Sequence, residues 1–163
     1  TWLSDEDIQL LSDSGAMVCL CPSTEGDLGD GVPRTAELHQ AGVPRCIGSD
    51  SQVEIDPFTE IRKAEYQARA QREQRCVLTD PNGAVAPTLR DIGSSHGYRA
   101  RGLSAEGDQL TLRSDSLALN FGGAPAEEVA TLSGHPGLID DVFINGRQVV
   151  EGGRHLGSEP TPG

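Results

Sequence analysis

No apolar run in this chain approaches the length of a bilayer span, and no charged start followed by a hydrophobic stretch marks a secretory signal. Neither feature points to a membrane, and a cytoplasmic location is the expectation. Positive charge is also scarce: 13 Lys and Arg stand against 25 Asp and Glu, for a formal net charge of -12 and a pI near 4.6. Phosphate binding depends on clustered cations, so a nucleic-acid or anionic-membrane partner is not expected. The only locally basic stretch, Arg69 to Arg75, alternates with Glu and Gln. There is no C-x-x-C pair, no H-x-H pair, no Gly-x-Ser-x-Gly elbow and no Gly-Lys-Ser/Thr phosphate loop, which removes zinc knuckles, serine-hydrolase triads and P-loop chemistry. Cys19, Cys21, Cys46 and Cys76 have no secreted-scaffold spacing and read as reduced, buried thiols. Thr1, not Met, stands first, so further chain upstream is expected.

What is present is an alternation of helices and short apolar strands. Ser4 before Asp5, Glu6 and Asp7 supplies a helix cap and first-turn carboxylates, and Gly15 ends that helix. Ala16 to Cys21, stopped by Pro22, predicts a strand buried on both faces. A polar, Gly-rich loop over Ser23 to Gly31 and a helix bracketed by Pro33 and Gly42 follow, then a second strand over Val43 to Gly48. Asp56-Pro57 starts a long helix that ends near Arg75, with Phe58, Ile61, Ala64 and Ala68 on its apolar side and Glu60, Arg62, Glu65 and Arg69 among its polar positions. Asp80 to Gly83 makes a turn before a helical segment from Val85 to about Ser94. This order predicts a parallel α/β sheet. After Gly102 the pattern turns mostly β: Leu110, Leu112, Leu117 and Leu119 alternate in two strand-like stretches, and Asn145-Gly146 signals a hairpin.

Asp50, in Gly48-Ser49-Asp50-Ser51, sits at the C-terminal end of a buried strand, where α/β barrels gather catalytic groups. An Asp at such a position also serves as a cap for the next turn or helix. The loop Ser23 to Gly31 fails as a dinucleotide or calcium loop on glycine spacing and ligand positions, which leaves an acidic loop at the same sheet end as Asp50, or a solvated turn. Cys19-x-Cys21 reads as core packing, and the four scattered histidines form no ligand set.

Taken in order, Cys21-Pro22-Ser23-Thr24-Glu25-Gly26-Asp27-Leu28-Gly29-Asp30-Gly31, Ala41-Gly42-Val43-Pro44 and Ile47-Gly48-Ser49-Asp50-Ser51 resemble the late-barrel segments of formimidoylglutamate deiminases, within the amidohydrolase superfamily. Val142 to Val150 with Gly153-Arg154-His155 resembles the closing hairpin of many amidohydrolases. The resemblance implies the C-terminal part of a metal-dependent (β/α)8 barrel hydrolase over residues 1–102, with its last two strands and helices. It further implies part of a composite β-sandwich over 103–157, and a disordered tail over 158–163 is expected. It implies Zn2+ as cofactor, a small-molecule substrate and a homodimeric full-length enzyme. The reaction it implies is attack of zinc-activated water on N-formimino-L-glutamate, releasing ammonia and N-formyl-L-glutamate, with the remaining ligands upstream of Thr1. Asp50 would then bind metal and handle the proton, and Thr24, Glu25 and Asp30 would shape the substrate site. Two other functions fit the same sequence: a different amidohydrolase deaminase, of the guanine deaminase or chlorohydrolase kind, and a non-catalytic acidic α/β binding domain.

Overall fold

The computed structural model describes residues 1–120 and 123–157; the 158–163 tail lies outside the described residues. The chain divides into two compact units, Thr1–Leu103 and Ser104–Gly163.

In the first unit, α1 (Asp5–Ser14) starts at a reciprocal cap: Ser4 Oγ accepts the Asp7 N–H at 3.1 Å while the Asp7 carboxylate accepts the Ser4 N–H at 2.8 Å. Gly15, at φ 67°, closes it in the left-handed conformation that glycine adopts without a Cβ clash. Ile8 on its inner face packs with Leu38 and Val43. β1 (Val18–Leu20) and β2 (Arg45–Ile47) form a parallel pair in the register Val18↔Arg45, Cys19↔Cys46, Leu20↔Ile47. Between them in sequence lie α2 (Pro22–Leu28) and α3 (Thr35–Gln40). α4 (Pro57–Arg72) starts at Asp56, whose carboxylate accepts the Phe58 N–H at 2.9 Å and the Thr59 hydroxyl at 2.6 Å. α5 (Val85–Gly93) and α6 (Ser95–Ala100) follow, and α4, α5 and α6 all pack on β2. Leu78, Leu89 and Ile92 are fully buried there, each contributing about 1.5–3 kcal/mol of transfer free energy.

The second unit holds an antiparallel sheet in the order β3 (Gln109–Leu112), β4 (Ile139–Ile144), β5 (Arg147–Glu151), β6 (Arg154–His155). Asn145 at φ 51° and Gly146 at φ 74° join β4 to β5, two positive dihedrals in the tight turn that an Asn-Gly pair favours. Leu119, Ala130 and Leu138 form its core, backed by Leu112 and Val129.

Four expectations are corrected. The segment expected as a loop over Ser23 to Gly31 is helical up to Leu28, because Pro22 at the first helical position and Gly29 at φ 69° bound it as helix termini. The strand-like alternation at Leu117 and Leu119 belongs to α7 (Leu117–Asn120), where Leu119 packs on α8 (Ala126–Ser133). α8 itself went unread behind Pro125. β1 is not buried on both faces: the pleat turns Leu20 inward, 2% exposed, and Cys19 to the opposite, exposed face. All four thiols are free as expected, but only Cys46 is buried; Cys21 is half-buried and Cys76 lies exposed in the loop after α4. Glu60 and Glu65, among the polar positions of α4, are 2% and 0% exposed, alongside Ile61, Ala64 and Ala68.

Candidate active site

The parallel ladder extends one residue past β2, with the Gly48 N–H donating to Leu20 O at 2.9 Å. A Cβ at position 48 would sit 3.1 Å from Cys19 Sγ and 3.4 Å from Cys21 Sγ, so glycine lets the two sulfurs lie against the strand end. The chain then turns, the Gln52 N–H donating to Ser49 O at 2.9 Å, with Asp50 at φ 46° and Gln52 at φ 61°. Asp tolerates the left-handed region better than most non-glycine residues. The outcome is an exposed Asp50 carboxylate at the strand tip, with no hydrogen bond or ion pair to any described residue. Its charge reaches the Cys21 thiol, whose pKa is pushed up to about 12, first by burial, then by Cys19, with Asp50 and Glu25 adding to the rise.

The other expected site residues come from α2 and the turn after it. Thr24 is 2% exposed, and its Oγ1 lies 3.0 Å from Ser49 O, 3.0 Å from Ser51 Oγ and 3.3 Å from the Ser51 N–H. It is thus in direct contact with the turn that carries Asp50. Glu25 is half-buried: Oε1 accepts the Cys21 N–H at 3.1 Å, satisfying a donor at the start of α2, while Oε2 is buried with no partner. Burial pushes the Glu25 pKa up, and the nearby Glu60 and Asp30 carboxylates push the same way, against the lowering effect of the Cys21 N–H. Asp30 is exposed, its N–H donating to Glu25 O at 3.0 Å.

Two residues of α4 not singled out for the site, Glu60 and Lys63, support α2, with Glu54 from the segment before α4. Glu60 Oε2 accepts the Ser23 N–H at 3.1 Å, and Glu60 Oε1 is buried without a partner. Lys63 Nζ donates to Ser23 Oγ at 2.7 Å and to Glu54 Oε2 at 2.6 Å, which closes a three-membered polar group with the Ser23 hydroxyl 3.3 Å from Glu54. Lys63 and Ser23 together hold the Glu54 carboxyl below its ordinary pKa. The available signal was spacing: Glu60, Ala64 and Ala68 fall on one helical stripe at i, i+4 and i+8.

Among the described residues no three or more His, Cys, Asp or Glu side chains are grouped to hold a metal ion. Asp50 fits a divalent cation as one unencumbered oxygen donor. The thiols of Cys19 and Cys21 lie against Gly48 and are not grouped with further His, Cys, Asp or Glu side chains to hold a metal ion among the described residues. The histidines of this unit are engaged elsewhere: His39 Nδ1 lies 2.8 Å from Arg45 Nη2, and His96 Nδ1 lies 2.7 Å from Arg45 O.

A parallel strand pair backed by helices, with an exposed carboxylate just past its C-terminal tip, is an arrangement compatible with the C-terminal face of α/β enzymes, where catalytic groups gather. Residues 1–149 match the amidohydrolase family, and the chain belongs to that family. It is 35% identical to a formimidoylglutamate deiminase of Pseudomonas aeruginosa across 94% of this chain and 36% of that protein. An 8-oxoguanine deaminase of the same organism is 33% identical across 93% of this chain and 36% of its own length. The crystal structure of an adenosine deaminase from Xanthomonas campestris with bound zinc superimposes with a TM-score of 0.85 at 21% identity, over 98% of this chain and 37% of that one, a likeness of fold. The chain therefore spans a little over one third of the length of these relatives.

Proposed function

We propose that this chain is the C-terminal part of a metal-dependent amidohydrolase barrel that hydrolyses N-formimino-L-glutamate to N-formyl-L-glutamate and ammonia. In this reading residues 1–102 supply the last two barrel strands with their helices, residues 103–157 supply part of a β-sandwich, and Asp50 crowns the eighth strand. The observation that carries it is the exposed, unpartnered Asp50 carboxylate at the end of a parallel strand. The 35% identity to a formimidoylglutamate deiminase supports the choice of substrate.

A divalent ion such as zinc supplies, when bound, a water whose pKa falls to about 7. Asp50 would be one ligand to it. Free of ion pairs and hydrogen bonds, the Asp50 carboxylate would take one proton of the attacking water and pass it to the imino nitrogen, then carry the remaining hydroxyl proton to the same nitrogen as the C–N bond breaks and the formyl C=O forms, so that ammonia leaves neutral. Glu25 in α2 and Asp30 in the turn after it shape access to the same sheet end. A second reading, deamination of a purine-like ring, draws on the 33% identity to an 8-oxoguanine deaminase.

Ammonia release by the complete enzyme, assayed in parallel on N-formimino-L-glutamate, 8-oxoguanine and S-adenosylhomocysteine, separates these readings. The proposal expects the first substrate to exceed the others by about a hundredfold or more in kcat/KM. Preference for 8-oxoguanine would move the function to the second reading, and no release from any of them would favour a non-catalytic domain.

A further inference from the structure

We infer that Thr24 is a positioning residue for Asp50 and not a substrate contact, an inference that rests on the reading of Asp50 as the reactive carboxylate. A threonine hydroxyl has one proton to donate and two lone pairs to accept with. Here all three are matched: Oγ1 donates to Ser49 O at 3.0 Å and accepts from the Ser51 N–H at 3.3 Å and the Ser51 hydroxyl at 3.0 Å. With the side chain 2% exposed, no valence and little surface remain for a substrate. The two partners flank position 50 on either side. They hold the turn in which Asp50 adopts φ 46°, a left-handed conformation that is uncommon for an L side chain even though Asp tolerates it better than most.

The latch is not free to drift. Thr24 sits in the first turn of α2, and the preceding Ser23 N–H is anchored 3.1 Å from Glu60 Oε2 on α4. The direction of the Asp50 carboxylate is thereby referred to the long helix and not to the loop alone. Misplacing a reacting group by about 1 Å can cost on the order of a hundredfold in rate, so loss of this hydroxyl falls on turnover and not on substrate affinity.

The test compares Thr24→Val, Thr24→Ser, Ser51→Ala and Asp50→Asn in the complete enzyme, reading kcat, KM and amide hydrogen exchange across residues 48–53. Thr24→Val, which keeps shape and removes all three bonds, is expected to lower kcat about 10- to 100-fold with KM within about threefold, and to speed Ser51 amide exchange at least about tenfold. Thr24→Ser should restore kcat to within about threefold and return exchange to the wild-type rate, because the hydroxyl is what acts. Ser51→Ala, which breaks one arm and keeps the fold if Thr24→Val does not, should lower kcat about three- to tenfold at unchanged KM. A raised KM at unchanged kcat in Thr24→Val, a Thr24→Ser variant as impaired as Thr24→Val, or wild-type kcat in Ser51→Ala would overturn the inference. An Asp50→Asn enzyme at full rate would instead remove the functional reading, while the Ser51 exchange rates would still decide whether Thr24 holds the turn.

Discussion

Glu65 and Leu78 are joined in the core of the first unit: Glu65 Oε2, on a side chain 0% exposed, accepts the N–H of the equally buried Leu78 at 2.8 Å. Oε1 takes the Val77 N–H at 3.0 Å and Arg69 Nε at 2.6 Å. One carboxylate thus ties the segment after α4 back onto that helix, and a buried charge is tolerable because each oxygen is matched.

Replacing Glu65 should therefore destabilise out of proportion to its size. Glu65→Ala leaves two backbone N–H groups without an acceptor and is expected to cost about 3–5 kcal/mol in urea unfolding. Glu65→Gln, which keeps one carbonyl acceptor, should cost about half as much. Equal and small losses for both would mean that the segment is held by its apolar contacts alone.

Helices α4 and α5 meet where Gly93 faces Ile61. A Cβ at position 93 would lie 2.8 Å from Ile61 Cγ2, closer than packed atoms tolerate. Gly93→Ala should destabilise by about 1–3 kcal/mol despite alanine's better helix propensity. Adding Ile61→Ala removes the clashing methyl, so the double variant should lose less than the sum of the singles. Strict additivity would place the strain elsewhere.

Stability should fall in acid through His39. Its pKa is lowered, chiefly by burial and then by the Arg45 cation, against smaller opposing effects of the Thr79 backbone and Glu65. The neutral ring accepts from Arg45, whose own pKa burial has lowered to about 10. A depressed folded value means that His39 contributes stability above its unfolded value near 6.5, lost as pH falls through the folded one. Between pH 8 and pH 5 the melting temperature should drop more for the wild type than for His39→Asn, which keeps an acceptor that does not titrate. Parallel slopes for the two would show that other groups carry the acid sensitivity.

Much of the first unit was legible because its signals are local. The Ser4 cap, Gly15, Asp56-Pro57 and the two apolar strands each act within a few residues, and all mark real element boundaries. The Asn145-Gly146 turn was legible for the same reason. What escaped was decided by partners distant in sequence. Glu60 and Glu65 look like surface charges until Ser23, Val77 and Leu78 are brought to them. Pro22 at the head of an acidic, Gly-rich stretch reads as a strand breaker, yet it serves as the first residue of α2, and that helix turns Thr24 inward against Ser49 and Ser51. The alternation at Leu117 and Leu119 is too short to separate a strand from one helical turn. Asp50 was legible as a strand-end carboxylate, but its left-handed backbone and the hydroxyl that holds it were not.

The account stands most directly on the rate of ammonia release from N-formimino-L-glutamate by the complete enzyme carrying Asp50→Asn. The amide keeps the shape of the side chain but cannot take a proton from water, so kcat should fall by about a thousandfold while circular dichroism and the melting temperature stay near wild type. A variant that folds normally and turns over at close to the wild-type rate would contradict it, leaving Asp50 as a turn residue and nothing more.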